Sequence, residues 1–280
     1  MKRLFLLAIV FTVVLSACDK NKDYLVIIHT EFGDMKAILY DETPLHKKNF
    51  IALAKEGKYD STQWHRIIKD FMVQGGDIYA KDDTREPEGA RIPAEINEKF
   101  QHTKGALAAA RQGDQVNPEK MSSSSQFYIV DGRVFSEAEL TTDQMKLNQS
   151  ISMMLQNPEY DSLKQLFMDL QQQGNYAGMN ELALECKGYV EQELSVNLNK
   201  EVDPRMVETY TKIAGAPHLD KEYTVFGRVV EGLDIIDKLA DVKVGPGDRP
   251  VKPTYMSVEL EMVPKKEITK NYGYEYPAED

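Results

Sequence analysis

Apolar positions alternate with polar ones toward the two ends of the chain and recur at helical spacing in its middle. Tyr24 to Thr30 is rich in Val and Ile, Glu31-Phe32-Gly33-Asp34 offers a turn, and Met35 to Tyr40 returns, which predicts a hairpin. Thr43-Pro44 opens a helix, with Thr43 as N-cap and Pro44 at the first helical position. Phe50, Leu53 and Ala54 follow at helical spacing, and Gly57 sits where a C-cap belongs. The stretch from Trp64 to Gly76 reads as two strands, closed by Gly75-Gly76 where the chain needs positive φ or a close backbone approach. Trp64 reads as core. Leu233, Ile236, Leu239 and Ala240 line one helical face after Glu231-Gly232. From Tyr255 to Val263, Met256, Val258, Leu260 and Met262 alternate with Tyr255, Ser257, Glu259 and Glu261, which predicts a last, half-exposed strand. Many short strands with two helices predict a mainly β fold, a closed antiparallel β-barrel with two flanking helices.

The middle of the chain carries a different period. Leu147, Ile151, Met154 and Leu155 share a helical face; so do Leu163, Leu166, Phe167 and Leu170, and then Leu182, Cys186, Tyr189, Val190 and Leu194. Asn157-Pro158 and Asp203-Pro204 read as N-cap and first-turn pairs, and Gly174-Asn175 with Gly178 as a break. The expectation is an inserted α-helical subdomain of about four helices over residues 136–214, with a formal charge of −7 and a buried helical core. Barrel sequence then occupies 24–135 and 215–264, and 265–280 forms a C-terminal tail. Ser122 to Ser125 reads as a serine run in a loop.

The run Trp64-His65-Arg66-Ile67-Ile68-Lys69-Asp70-Phe71-Met72-Val73-Gln74-Gly75-Gly76-Asp77 joins one cation to an apolar pair, a side-chain amide and a double glycine. Apart from His65, no acid, base or nucleophile adjoins Arg66, and a guanidinium with an apolar floor suits a reaction that breaks no covalent bond. It resembles the core motif of the cyclophilins, a class of peptidyl-prolyl cis-trans isomerases. Two more blocks fall in that family's order: Gly105 to Ala110 followed by Ser125-Gln126-Phe127-Tyr128-Ile129, and Leu219 to Gly232. The resemblance spans Tyr24 to Val130 and Ala216 to Val263, and leaves out the leader, the middle and the tail.

The resemblance implies rotation about X-Pro bonds, with Arg66 stabilising the twisted amide and no covalent intermediate. It assigns Phe71, Met72, Tyr128 and Leu219 to an apolar pocket for the proline ring. Gln74 would hydrogen-bond the substrate backbone and help to hold Arg66. Ala110, Arg111 and Gln126 would line the neighbouring groove. Tyr223 stands where many members carry histidine, and its hydroxyl can still donate to a substrate carbonyl. Three positions depart from the family. Tyr128 replaces the usual phenylalanine, adding a hydroxyl that needs a partner. Arg111 replaces a common asparagine, making the groove floor more basic. His218 stands where cyclosporin-sensitive members carry tryptophan, so weak cyclosporin binding is expected.

Charge and composition narrow the partners. A net charge of −11 argues against nucleic acid, which needs a basic face. The five histidines show no HxH or HxxxH spacing, so no metal is expected, and no GxGxxG or Walker pattern accompanies Gly75-Gly76. No cofactor is called for. Residues 1–17 read as a signal peptide: Lys2-Arg3, an apolar run from Leu4 to Leu15, then Leu15-Ser16-Ala17-Cys18, which resembles a bacterial lipobox. This implies lipidation of Cys18, a polar tether over 18–23, and a lipid-anchored place in a bacterial cell envelope, outside the cytoplasm. An ordinary secretory signal cut nearby and a signal anchor are the other readings. Cys186, then without a disulfide partner, reads as a small core residue.

Together these lead to an isomerase acting on proline-containing unfolded or extended exported polypeptides. The alternative is a non-catalytic proline-peptide-binding or chaperone-like lipoprotein that uses the helical insertion as its interaction surface. On either, deleting 136–214 should leave the groove intact.

Overall fold

The computed structural model describes residues 21–80, 83–87 and 89–278. Cys18, with the signal peptide, lies outside the described residues. The chain runs through β1 (Lys22–Thr30), β2 (Gly33–Leu39), α1 (Pro44–Lys55), β3 (Thr62–Gln63), β4 (Arg66–Ile68), β5 (Met72–Gly75), β6 (Ala106–Arg111) and β7 (Ser122–Val130). Five helices follow: α2 (Glu137–Thr141), α3 (Gln144–Met154), α4 (Asp161–Gln172), α5 (Tyr176–Leu194) and α6 (Pro204–Tyr210). The chain closes with β8 (Val225–Glu231), α7 (Leu233–Ala240), β9 (Tyr255–Pro264) and α8 (Lys265–Tyr272).

The nine strands form one antiparallel sheet in the order β3-β9-β1-β2-β8-β6-β7-β5-β4. It curls into a half-barrel rather than the closed barrel expected, because β3 and β4 end the sheet without a ladder between them. Period-2 alternation explains its two cores. Leu107, Ala109, Phe127 and Ile129 face one core with Phe50 of α1 and Ile236 of α7. Ala106, Ala108, Ala110, Tyr128 and Val130 face the other, with Met72 and Leu219. Strand β6 is buried on both faces, which is why it reads as an unbroken apolar run. Trp64 lies in the first core, as expected.

Several expectations need correction. Thr43 holds the N-cap position of α1 but makes no side-chain cap bond. Glu95 accepts from the backbone N–H groups of Leu45 and His46 at 3.0 Å each, placing a carboxylate on the positive end of that helix. Ser122 to Ser125 are strand residues of β7, since their backbone pairs where a loop would face water. The last tether residues, Lys22 and Asp23, already belong to β1, and buried Asp23 pairs with Lys47. The C-terminal tail packs on the second core: Ile268 of α8 and Tyr274 are buried, and the Tyr274 hydroxyl accepts from the Asp41 N–H at 2.8 Å.

Between β7 and β8 lie five α-helices where four were expected, and Gly178 sits inside α5 rather than in a break. Leu147, Ile151, Met154, Ala183, Val190 and Leu198 form their core, and Cys186 packs partly buried against it. Helices α3 to α5 hang from a narrow neck. Thr142 bridges Asn199, the Asp143 N–H donates to the Leu198 carbonyl at 2.8 Å, and the Lys200 N–H donates to the Thr141 carbonyl at 2.8 Å. Helices α2 and α6 stay beside the half-barrel, where the Phe135 N–H donates to the Tyr210 carbonyl at 2.9 Å.

Candidate active site

A single row of residues crosses four strands. Arg66 of β4 stands opposite Gln74 of β5, Gln74 opposite Tyr128 of β7, and Tyr128 opposite Ala108 of β6. Direct cross-strand partners share a face, so Arg66, Gln74 and Tyr128 point to the same side of the sheet. The β4–β5 turn holds Asp70 at φ +61 and is pinned to the end of β7. The Asp70 N–H donates to Asp131 at 2.8 Å, and the Phe71 carbonyl accepts from the Asp131 and Gly132 N–H groups at 3.0 and 3.1 Å. Phe71 is thereby fixed beside Met72. After β5, Gly76 adopts φ +75, and a Cβ there would meet the Phe127 ring at 2.7 Å. Gly75 lies close to Met256 and the Gln63 carbonyl, so both glycines of the motif are required for the reasons expected.

These elements enclose a cavity of about 90 Å³ lined by Arg66, Phe71, Met72, Gln74, Ala110, Arg111, Tyr128, Leu219 and Tyr223. Nine of the residues singled out in the sequence therefore meet at one place. The other two adjoin it. Gln126 accepts from the Gln74 amide at 3.1 Å and donates to Asp77 at 2.9 Å. The His218 ring centre lies 5.1 Å from that of Phe71. Burial pushes the His218 imidazole below its ordinary pKa, which favours the neutral ring.

Two polar partners differ from expectation. Gln74 donates to Gln126, while Arg66 Nε lies 3.4 Å from a carboxylate oxygen of Asp248. The terminal amino groups of Arg66 make no hydrogen bond among the described residues, and its side chain is 43 % exposed. Arg111 does not make the groove floor basic. Its side chain is 5 % exposed and bound by Asp114 and Glu222, with its guanidinium 4.5 Å above the Tyr223 ring. It is a brace for Tyr223 rather than a free charge.

The extra hydroxyl of Tyr128 does find a partner, His102 Nε2 at 3.0 Å. Burial is the main cause that raises the Tyr128 pKa, so the hydroxyl stays protonated and can donate. Asp248, His102, Asp220 and Tyr210 all touch this region or its supports, and none was singled out in the sequence. Asp248 is 182 residues from Arg66, so no local spacing could reveal the pair. Gly245-Pro246-Gly247-Asp248 has the composition of a turn, which marks a loop but not its partner.

A second constellation has the order of a nucleophile, base and orienting acid. Ser122 Oγ lies 2.9 Å from His46 Nε2, and His46 Nδ1 lies 2.7 Å from Glu95. Ser122 is 1 % exposed, and the adjoining cavity holds about 10 Å³, roughly one water. No carbonyl substrate can reach that hydroxyl, and burial lowers the His46 pKa; the trio anchors α1 to β7.

Comparison with known proteins agrees with this geometry. Residues 25–136 and 191–259 match the family described as cyclophilin type peptidyl-prolyl cis-trans isomerase/CLD. A protein of Staphylococcus saprophyticus, provisionally named a peptidyl-prolyl cis-trans isomerase, is 29 % identical over 84 % of this chain and 90 % of its own length. A Staphylococcus epidermidis protein of the same name is 30 % identical over 83 % of this chain and 88 % of its own. The crystal structure of a Cryptosporidium parvum cyclophilin type peptidyl-prolyl cis-trans isomerase shares the fold at a TM-score of 0.51 and 18 % identity, covering 85 % of this chain and 98 % of that one. A further structure titled for that enzyme in the presence of the dipeptide Ala-Pro gives a TM-score of 0.50. The family match skips most of the helical segment and lies on the strands that build the cavity, and on that evidence the chain belongs to the cyclophilin-type peptidyl-prolyl cis-trans isomerases.

Proposed function

We propose that the cavity holds a proline ring of an extended, exported polypeptide while Arg66 assists rotation about the preceding amide. One observation carries this reading: an apolar cleft with a guanidinium at its rim and no carboxylate, thiol or imidazole in its lining. Such a lining offers no strong nucleophile or general base of its own. It suits a reaction whose barrier, about 18–20 kcal/mol, is lost amide resonance. In the twisted state the prolyl nitrogen becomes pyramidal and gains a lone pair. Asp248 engages Arg66 Nε, so a terminal amino group is the donor available to that lone pair or to the adjacent carbonyl. Phe71, Met72, Tyr128 and Leu219 hold the ring still while the amide turns, and Tyr223, braced by Arg111, offers its hydroxyl to the substrate backbone.

The test is a peptide isomerisation assay on an Ala-Pro substrate. Arg66→Ala should fold normally and lose about 10²–10³-fold in turnover, the loss expected for one preorganised donor. Arg66→Lys should recover little, because a point charge on a flexible stem does not match the planar fork. Wild-type binding without turnover above background would make the protein a binding module instead. For the cell-envelope location, Cys18→Ala should abolish fatty-acid labelling and release the protein from membranes; equal labelling of wild type and variant would end the lipoprotein reading.

A second reading has its own observation. Met145, Met153, Leu166, Met168 and Tyr176 are exposed on the helical segment. Flexible Met-rich surfaces accommodate varied apolar partners, which favours a chaperone-like contact for unfolded clients beside the isomerase groove.

A further inference from the structure

Behind the cavity runs a chain of buried polar groups that rotation about an amide does not need. His102, fully buried before β6, has Nδ1 at 2.9 Å from Asp220 and Nε2 at 3.0 Å from the Tyr128 hydroxyl. A carboxylate only accepts, so the arrangement assigns the proton to Nδ1 and leaves Nε2 to accept from Tyr128. Asp220 also accepts from the His102 backbone N–H at 2.8 Å and from the Tyr210 hydroxyl at 2.9 and 2.8 Å. Tyr210 ends α6, the last helix before β8, and is fully buried. Its ring lies so close to Gly215 that a Cβ there would meet it at 2.4 Å. Asp220 directly follows the turn Pro217–Leu219, and Leu219 is a wall of the cavity.

We propose that Tyr210, Asp220 and His102 are positioning residues for the proline pocket, so that the helical segment supplies part of the support of the isomerase site. The inference rests on the proline-pocket reading above. The chain Tyr210–Asp220–His102–Tyr128 fixes two walls at once: it orients the Tyr128 ring by its hydroxyl, and it holds the turn that presents Leu219. Every donor in it has an acceptor; Tyr210, His102 and Tyr128 are buried and the Asp220 side chain is 9 % exposed, so cutting one bond leaves its neighbours little water to replace it. Tyr128 and Leu219 touch the ring in ground and transition state alike. Loosening them removes uniform binding, which appears in KM and not in kcat.

The experiment compares full-length wild type with Tyr210→Phe, Tyr128→Phe and the double variant, measuring kcat, KM and the Kd of an Ala-Pro peptide. Each single variant should raise KM and Kd about five- to tenfold, the equivalent of one buried hydrogen bond, with kcat within about twofold. The double variant should fall clearly short of the product of the single effects, because both changes cut one chain. A purely structural role would lower apparent kcat through fewer folded molecules and leave KM unchanged; that outcome, or full additivity, overturns the proposal. If Tyr210→Phe does not fold, Asp220→Asn is read by the same constants, and unchanged KM and Kd there overturn it equally. Wild type without turnover would strike the isomerase reading instead, and the Kd values alone would then judge the chain.

Discussion

In the half-barrel, every residue from Ala106 to Ala110 is buried, and Leu107, Ile129 and Val73 are wholly enclosed; in α4 no residue is buried, and Leu166 and Met168 stand open to water. The two regions also differ in attachment. Inner strands such as β6 and β7 are held by ladders on both sides, whereas α3 to α5 are held by the bonds around Thr142 and Asn199. A third part, α2 and α6, lies with the half-barrel and sends Tyr210 beneath the site. On the positioning role proposed for Tyr210, the division that matters for catalysis falls at the neck, not at the ends of the helical segment.

The largest test of that division is deletion. Removing 143–198 and bridging Thr142 to Asn199 with Asn-Gly follows a hairpin geometry already present. Turnover of a small Ala-Pro peptide should stay within about twofold, since no pocket support is lost. Removing 136–214 takes Tyr210 as well and should lower kcat/KM at least about tenfold, contrary to the expectation from sequence that the whole segment is separable. Both deletions should slow the assisted refolding of a protein substrate if the exposed methionines contact clients. Equal peptide activity in the two deletions would move the boundary back to the ends of the segment.

A smaller effect should come from matched core truncations. Leu147→Ala in α3 and Ile129→Ala in β7 each remove a fully buried side chain, at a cost of about 2–5 kcal/mol. The first should unfold α3 to α5 early in a thermal scan while peptide KM and kcat hold. The second should lower the temperature at which activity disappears. Activity lost together with the helices in Leu147→Ala would show that the neck does not isolate them.

The smallest effect probes the pocket's turn. His218 packs at a tilt against Phe71 but offers less apolar area than an indole, so cyclosporin should bind about 1–3 kcal/mol more weakly than to a tryptophan-bearing cyclophilin. His218→Trp should recover part of that in a calorimetric titration. Nanomolar binding by the wild type would mean another residue supplies the missing wall.

How much of this was legible followed the physics of each element. Period-2 strands, the glycine pair and the order of motif blocks are local, and the resemblance they carry names Arg66, Gln74 and Tyr128; the row those residues form across strands is a matter of register that only the structure gives. Asp248, Asp220 and Tyr210 act across the chain, and nothing in their local spacing marks them. The serine run misled because hydroxyls suit loops, yet Ser122 and Ser124 spend theirs on His46 and Glu86 within a strand. The face of α4 read as core and is only half covered, with Leu163 and Phe167 packed partly buried against the helical core and Leu166 open, because periodicity reports amphipathicity and not how completely a partner covers it.

The neck also bears on how the chain finds its fold. Strand β8 must meet β6 and β2 after a connection of 94 residues following β7. Helices α3 to α5 consist of near-neighbour contacts that form early, and once Thr142 meets Asn199 the searching loop behaves as one of 38 residues. Closing the shorter loop lowers the entropic cost by about 0.8 kcal/mol. A sizeable helical excursion thus delays the completion of the sheet very little.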